Sequence, residues 1–229
     1  MIKGFQGISL IDYPGHVASI IFVGSCNFRC PFCHNPELVL PERLKLLPDI
    51  DEDEIIEKLK KRKKMVDGVE ITGGEPTLYR NLINFLKRLK EEVQIDVKID
   101  TNGSNPELLQ RILDEGLCDY VAMDIKSSPP KYSKACGVNV NLEAIKRSVE
   151  IIKERAPDYE FRTTVVPCFV EVEDIPLICE FLGKVKRYIL QRYQKGELVD
   201  PSFSFEPYAD SVLHEMLSKI ECAEEKLIR

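Results

Sequence analysis

The sequence has no long apolar run, and this absence argues against a membrane protein. Its longest early apolar run, residues 17–23, holds seven residues, whereas a helix that crosses a bilayer needs about 20. Asp12 and Pro14 stand where a signal peptide would be apolar, so we expect no targeting segment. We therefore predict a cytoplasmic protein with no membrane partner.

The sequence also has no excess of positive charge and no stretch of low complexity. Lys and Arg number 32 against 38 Asp and Glu, a net charge of −6, which disfavours broad contact with nucleic-acid phosphates. We expect no nucleic-acid partner. Apolar residues make up 44% of the chain, enough for a packed core. Because we find no repeat and no linker, we predict one domain over residues 1–229, with its core at about 15–210.

Short β-rich apolar runs alternate with longer helical patterns along the chain. The predicted strands are 17–23, 68–72, 95–100, 118–125, 159–166 and 202–206. The predicted helices are 51–66, 78–92, 105–115, 141–155, 173–192 and, at the C-terminus, 211–227. Strands that alternate with helices indicate βα units and a parallel sheet. Right-handed crossovers wind such a sheet into a barrel-like arc or an open doubly wound sheet.

One short segment, "CNFRCPFCH", holds three cysteines, and no fourth lies nearby. Cys26, Cys30 and Cys33 have the spacing C-x3-C-x2-C. In a reducing cytoplasm we expect the eight cysteines of the chain to be metal ligands, catalytic groups or buried thiols rather than disulfides.

Four interpretations of this cysteine segment are open. A structural zinc site uses four ligands, commonly as two separated pairs, and the second pair is missing. A redox dithiol would use Cys30 and Cys33 and leave Cys26 without a role. Buried structural thiols have no reason to gather in one loop. An iron–sulfur cube held by three thiolates would leave one iron open for a ligand or substrate.

The segment resembles the C-x3-C-x-φ-C motif of the radical S-adenosylmethionine (radical SAM) enzymes, in which φ is an aromatic residue. Phe32 occupies that position here. The resemblance implies that the three thiolates hold a [4Fe–4S] cluster and that SAM chelates its fourth iron. It also implies that an electron from the cluster cleaves SAM to a 5′-deoxyadenosyl radical. The fold that it implies is α/β, a partial (β/α)6 TIM-like barrel with parallel strands.

Polar or glycine-rich groups follow the other predicted strands where those strands end. They comprise Gly73, Gly74 and Glu75 in "GGE", Asp100, Thr101 and Asn102 in "DTNG", Asp124 and Lys126 in "MDIK", and Arg162 in "FRTT". Each group alone also fits a turn or a surface ion pair. In parallel βα folds, however, the carboxyl ends of the strands form one rim where ligands bind. We therefore predict that these residues share one site.

The resemblance assigns roles to these groups. "GGE" is similar to the segment that hydrogen-bonds the SAM amino group. "DTNG" and "MDIK" resemble segments of glycyl-radical enzyme activases, such as the pyruvate formate-lyase activating enzyme. There, positions matching Asp100, Thr101 and Asp124 hold a monovalent cation beside SAM. Lys126 and Arg162 resemble polar residues near SAM or the substrate, which makes Arg162 a catalytic candidate.

Residues 3–38 are similar to the start of anaerobic ribonucleoside-triphosphate reductase activating proteins. This resemblance implies hydrogen abstraction from a glycine of a partner glycyl-radical enzyme, with flavodoxin or ferredoxin as the electron donor. One alternative is a radical SAM enzyme that acts on a small molecule, as a deazapurine synthase does. Another is a non-catalytic electron carrier or zinc-binding interaction module. The remaining cysteines are dispersed, so we predict a single cluster.

Overall fold

The computed structural model describes residues 1–229, and its framework is a single sheet of eight strands that follow one another in chain order. The strands are β1 (Ile2–Ser9), β2 (Ala18–Val23), β3 (Gly68–Gly73), β4 (Asp96–Thr101), β5 (Tyr120–Asp124), β6 (Asp158–Val165), β7 (Val185–Arg192) and β8 (Ala223–Ile228).

The helices connect the strands in the order that the sequence indicates. They are α1 (Pro36–Val39), α2 (Pro41–Leu44), α3 (Glu52–Arg62), α4 (Leu82–Arg88), α5 (Pro106–Asp114), α6 (Tyr132–Cys136), α7 (Leu142–Arg155), α8 (Asp174–Leu182) and α9 (Asp210–Ser218). Asn105 caps α5 by accepting a hydrogen bond from the Leu108 amide at 3.3 Å. No helix is both long and apolar enough to span a bilayer.

The sheet forms an arc that does not close. Strand β1 is antiparallel to β2, and every later neighbour is parallel. Strand β8 pairs with β7 alone, and no hydrogen bonds join it to β1. Strands β2 to β7 with their crossover helices form six βα units, so the predicted partial (β/α)6 barrel is confirmed. One edge strand is added on each side of that core.

The predicted helix over 173–192 is wrong in its second half. Helix α8 ends at Leu182, and Gly183 follows it with a φ of +64°, a backbone conformation that favours glycine at helix ends. The chain then enters β7, whose Tyr188, Ile189 and Leu190 are buried. Strand β7 therefore takes the sixth parallel position that we predicted for residues 202–206.

Residues 202–206 form no strand, and the C-terminal helix is shorter than predicted. Pro201 and Pro207 flank the segment, and proline cannot donate to a strand ladder. Helix α9 ends at Ser218, and residues predicted as its last turns form β8 instead. The Glu and Lys residues of β8 favour a helix by propensity, but pairing with β7 overrides that preference. Strand β1 was not predicted.

Two cysteines that we expected to be free form a disulfide. Cys179 in α8 and Cys222 just before β8 are bonded, with their Cα atoms 5.2 Å apart. The sequence gives no sign of this pairing, because the two residues are 43 positions apart and only the packing of α8 beside β8 brings them together. The other six cysteines are free thiols.

The interior of the barrel is charged. Strands β3, β4 and β6 alternate apolar side chains on one face with charged side chains on the other. Register places Glu70 opposite Lys98, and Asp124 opposite Arg162. Lys98 Nζ lies 2.8 Å from a Glu70 oxygen, and both side chains are buried. The inward faces of the strands therefore carry ion pairs to the ends where the candidate site lies.

Candidate active site

One cavity at the carboxyl ends of the parallel strands brings together all thirteen residues that the sequence singled out. They come from the segment after β2 and from the ends of β3, β4, β5 and β6. The structure therefore brings the predicted strand-end groups together, while their roles stay a prediction. The cavity is also lined by six residues outside that set: Phe28, His34, Asn35, Val39, Thr72 and Thr164.

The segment that carries the three cysteines is braced by its own backbone and by Arg29. The Arg29 guanidinium donates hydrogen bonds to the carbonyls of Cys26 and Phe28, both at 2.7 Å. The Cys33 amide donates to the Cys30 carbonyl at 3.1 Å. The Arg29 amide also donates to the carbonyl of Cys136 at the end of α6, at 2.8 Å. These contacts hold the three sulfurs along one wall of the cavity.

The paired glycines after β3 allow that turn to lie directly against the cysteine segment. Gly73 has a φ of +111°, which favours glycine, and a Cβ there would lie 2.7 Å from the Val23 carbonyl oxygen. A Cβ on Gly74 would overlap the Ser25 carbonyl oxygen. The Gly74 and Glu75 amides donate to the carbonyls of Val23 and Ser25 at 2.8 and 2.7 Å. The turn thus fixes the start of the cysteine segment.

Glu75 connects the ends of β3 and β4. Its carboxylate accepts hydrogen bonds from the Thr77 hydroxyl at 2.6 Å, the Thr101 hydroxyl at 2.7 Å and the Asn102 amide at 2.7 Å. The side chain is buried, and burial raises the pKa of this carboxyl, although these hydrogen bonds oppose the shift. The resemblance assigned Glu75 to SAM, whereas its contacts in the structure are to the protein.

Asn102 connects Glu75 to the cysteine segment. Its side-chain amide donates to the Asn27 side chain at 2.9 Å and lies 3.8 Å from the Cys26 sulfur. Hydrogen bonds to cluster sulfurs raise the reduction potential of iron–sulfur centres. Glu75 therefore positions Asn102, and Asn102 in turn contacts a candidate cluster ligand.

A partly buried charge network forms the floor of the cavity. Arg162 lies 2.8 Å from an Asp100 oxygen and 2.9 Å from an Asp124 oxygen. Lys98 contacts Asp100 at 2.5 Å, and Lys126 contacts Asp124 at 2.9 Å. Burial alone would raise the pKa of both carboxyls, but the neighbouring cations hold each pKa below its usual range. With Glu70, which contacts Lys98, the network holds three basic side chains and three carboxyl groups.

Glu70 is the exception in this network, since burial and the nearby Asp100 charge raise its pKa to about 9. Lys98, whose ammonium lies 2.8 Å from a Glu70 oxygen, opposes this rise in the pKa. Its Oε2 atom is buried and has no hydrogen-bond partner. Apolar and charged residues alternate in "VEIT" of β3 and "VKID" of β4. This alternation indicates that Glu70 and Lys98 face the barrel interior, because their neighbours Ile71 and Val97 face the opposite side of the sheet.

The donor atoms in the cavity fit an iron–sulfur cluster better than a single metal ion. No three His, Cys, Asp or Glu side chains converge as the ligands of one ion would. The three sulfurs instead line one wall, with the glycine turn beside them. Burial raises the pKa of the Cys26 thiol to about 12 and also raises that of Cys33. Because the thiolate is the form that binds metal, cluster binding would have to overcome this preference for the neutral thiols.

The close approach of Gly74 to Ser25 leads to a testable expectation. In Gly74→Ala the added methyl group displaces the Ser25 carbonyl, and with it the start of the cysteine segment. Because a shift of about 1 Å can cost about a hundredfold in activity, we expect SAM cleavage to fall by about that factor. Anaerobic assay of 5′-deoxyadenosine formation measures this.

Gly196→Ala is the matched control, because its methyl group would meet only the His34 ring, at 3.3 Å. If Gly74→Ala were as active as Gly196→Ala, the close contact between Gly74 and Ser25 would not be needed to position the cysteine segment.

The chain is similar in sequence to a protein family and to several named proteins. The profile of the Radical SAM superfamily matches residues 20–182. A Methanocaldococcus jannaschii protein, named provisionally as a glycyl-radical enzyme activating enzyme, is 32% identical over 89% of this chain and 84% of its own length. Aquifex aeolicus GTP 3′,8-cyclase is 29% identical over 90% of this chain and 65% of its own. Clostridium pasteurianum pyruvate formate-lyase-activating enzyme is 33% identical over 55% of this chain and 52% of its own.

Solved structures share the fold at low sequence identity. Streptococcus suis SuiB bound to precursor peptide SuiA superposes with a TM-score of 0.64 at 17% identity, over 92% of this chain and 48% of that one. A domain of a Bacteroides vulgatus pyruvate-formate lyase-activating enzyme gives a TM-score of 0.53 at 22% identity, over 69% of this chain and 98% of that domain. The profile match, the relatives and the cysteine motif agree, and the chain belongs to the radical SAM superfamily.

Proposed function

We propose that this radical SAM enzyme abstracts hydrogen from a backbone glycine of a partner glycyl-radical enzyme. The observation that carries the proposal is the open side of the barrel. A second cavity lies at the gap between β1 and β8, and it shares Thr72, Asp100, Asp124 and Arg162 with the active-site cavity. An extended segment of a large protein can therefore reach the active site from the side. The similarity to glycyl-radical activating enzymes supports the same conclusion.

We assign roles to the residues of this chain as follows. Cys26, Cys30 and Cys33 hold the [4Fe–4S] cluster that the superfamily implies, and Phe32 packs beneath the segment against Phe169, with ring centroids 5.7 Å apart. When bound, the cluster and SAM supply a 5′-deoxyadenosyl radical. Lys126 and Arg162 line the cavity and would donate hydrogen bonds to the SAM carboxylate.

The remaining groups position the reactants. Gly73 and Gly74 bring the β3 turn against the cysteine segment, and Glu75 fixes Thr101 and Asn102. Arg162 is held between two carboxylates, which fixes its guanidinium at the junction of the two cavities. Such fixed geometry lowers the entropic cost of bringing the radical to the substrate hydrogen.

The proposed enzyme also needs an electron donor, and the resemblance implies a monovalent cation. Reduced flavodoxin or ferredoxin supplies the electron. The monovalent cation beside Asp100, Thr101 and Asp124 stays a prediction. In the structure both carboxylates pair with side-chain cations, and the Thr101 hydroxyl donates to Glu75.

The test of this function uses the reconstituted enzyme with SAM and a chemical reductant under anaerobic conditions. The substrate is an anaerobic ribonucleoside-triphosphate reductase labelled with deuterium at glycine. We expect deuterium in the 5′-deoxyadenosine product and a glycine-centred radical in the reductase, detected by electron paramagnetic resonance. The control is the same mixture with the reductase carrying alanine at its radical glycine.

The competing function is action on a small molecule, which the similarity to a GTP 3′,8-cyclase favours. It predicts no deuterium transfer from the reductase, and 5′-deoxyadenosine formation that rises when a purine nucleotide is added instead. That pair of results would overturn the activase proposal.

A further inference from the structure

The connection between β7 and α9, residues 193–209, contains no helix or strand. Connections longer than about 12–15 residues without secondary structure are uncommon in compact domains, and ordered examples commonly serve a function. This connection is held against the protein, since Tyr193 and Leu198 are both buried. It passes over the cysteine segment on its way to α9, and we call it the strap.

Backbone hydrogen bonds join the strap to the second half of the cysteine segment. The Val199 amide donates to the Cys33 carbonyl at 2.9 Å, and the Asp200 amide donates to the Pro31 carbonyl at 3.1 Å. Two consecutive amides of the strap therefore fix the backbone on both sides of Phe32.

Side chains add to these hydrogen bonds. The Phe203 ring of the strap stacks on Phe169 with centroids 5.6 Å apart, and it lies 6.3 Å from the Phe32 ring. The His34 Nε2 atom lies 2.8 Å from the Gln194 carbonyl oxygen. Because Phe203 and Gln194 do not line the active-site cavity, the strap packs on the cysteine segment from outside that cavity.

We infer that the strap holds Cys33 in position and thereby retains the iron–sulfur cluster. This inference rests on the proposed role of the three cysteines as cluster ligands. Arg29 and the glycine turn after β3 brace the first half of the segment, whereas the strap braces its second half at Pro31 and Cys33. A ligand leaves a metal centre when its segment opens locally, so contacts that hold the segment closed slow that loss.

The test is the rate at which a ferrous-iron chelator removes iron from the reconstituted enzyme under anaerobic conditions. Phe203→Ala is compared with Phe205→Ala, because Phe205 lies in the same strap, is 37% exposed and pairs its ring with that of Phe203 alone. Truncation of a packed phenylalanine shifts a folding equilibrium by well over tenfold. We therefore expect iron loss at least about tenfold faster in Phe203→Ala and close to the wild-type rate in Phe205→Ala. Phe203→Tyr keeps the ring and should restore slow loss.

A second variant tests the backbone contact. Val199→Pro removes the N–H that donates to the Cys33 carbonyl, and it should speed iron loss as Phe203→Ala does. Ser204→Pro is its control, since Ser204 is exposed and its amide donates no backbone hydrogen bond. Melting of the apoproteins, followed by circular dichroism, separates loss of the strap contacts from global unfolding.

Two outcomes would overturn different claims. If wild-type enzyme binds no [4Fe–4S] cluster, the assignment of the cysteines fails, and the inference fails with it. If wild-type enzyme binds the cluster and both Phe203→Ala and Val199→Pro release iron no faster than their controls, only the strap inference is overturned.

Discussion

Cys30→Ser is expected to lose its iron and all 5′-deoxyadenosine formation, because the two remaining thiolates cannot hold the cluster. Cys30 is 5% exposed and lines the cavity with Cys26 and Cys33. Serine is close to cysteine in size, so the fold should persist. The measurement is iron and sulfide content after anaerobic reconstitution, together with SAM turnover. Melting of the apoprotein followed by circular dichroism checks the fold.

Two further variants test whether the loss of iron is specific to Cys30. Cys168→Ser changes a free thiol outside the cavity and should keep full iron content. Cys136 neighbours Cys30, and its thiol lowers the pKa of Cys30. Residual iron in Cys30→Ser that disappears in Cys30→Ser/Cys136→Ser would show that Cys136 substitutes as a ligand. Full iron content in Cys30→Ser at wild-type activity would rule out the three-thiolate site.

Arg162→Met is expected to destabilise the protein by about 1–3 kcal/mol, because it removes the cation that two partly buried carboxylates share while each keeps one lysine partner. Arg162 is 8% exposed and bridges Asp100 and Asp124. Urea unfolding of the apoprotein at pH 7 measures the loss. The control Arg162→Met/Asp124→Asn removes one of the carboxylates as well and should recover part of the stability. If the double variant were less stable than Arg162→Met, the shared-cation account would be wrong.

The stability of wild type and Arg162→Met should also differ with pH. Neighbouring cations hold the pKa values of Asp100 and Asp124 below the ordinary value of 3.8. A depressed pKa contributes stability above the unfolded pKa, and this contribution is lost as the pH falls through the folded pKa. The difference between the two proteins should therefore be greatest near neutral pH and shrink below about pH 4. Unfolding curves across that range check the sign.

The site was predictable from sequence to a greater extent than the edges of the fold. Its residues lie at the ends of strands whose apolar runs are strong, such as "VASIIFV", and parallel strands place their carboxyl ends together. Their contacts were not predictable. Glu75 binds Thr101 and Asn102 rather than standing free, because the close approach of β3 and β4 exists only in three dimensions.

The fold was predicted less well where local preference and tertiary pairing disagree. Strand β8 contains Glu224, Glu225 and Lys226, which favour a helix, and β7 follows α8 after only two residues. In each case a strand forms because a neighbouring strand offers its backbone groups. Gly183 was the available signal for the break between α8 and β7.

The unclosed sheet has a consequence for how the protein behaves when concentrated. An exposed edge strand is a template on which a second chain can add, and growth by that route leads to fibres. Strand β8 carries three consecutive exposed charges, Glu224, Glu225 and Lys226. Charged side chains on an edge strand hinder such addition. These three charged residues therefore disfavour the pairing of β8 with a second copy of the protein.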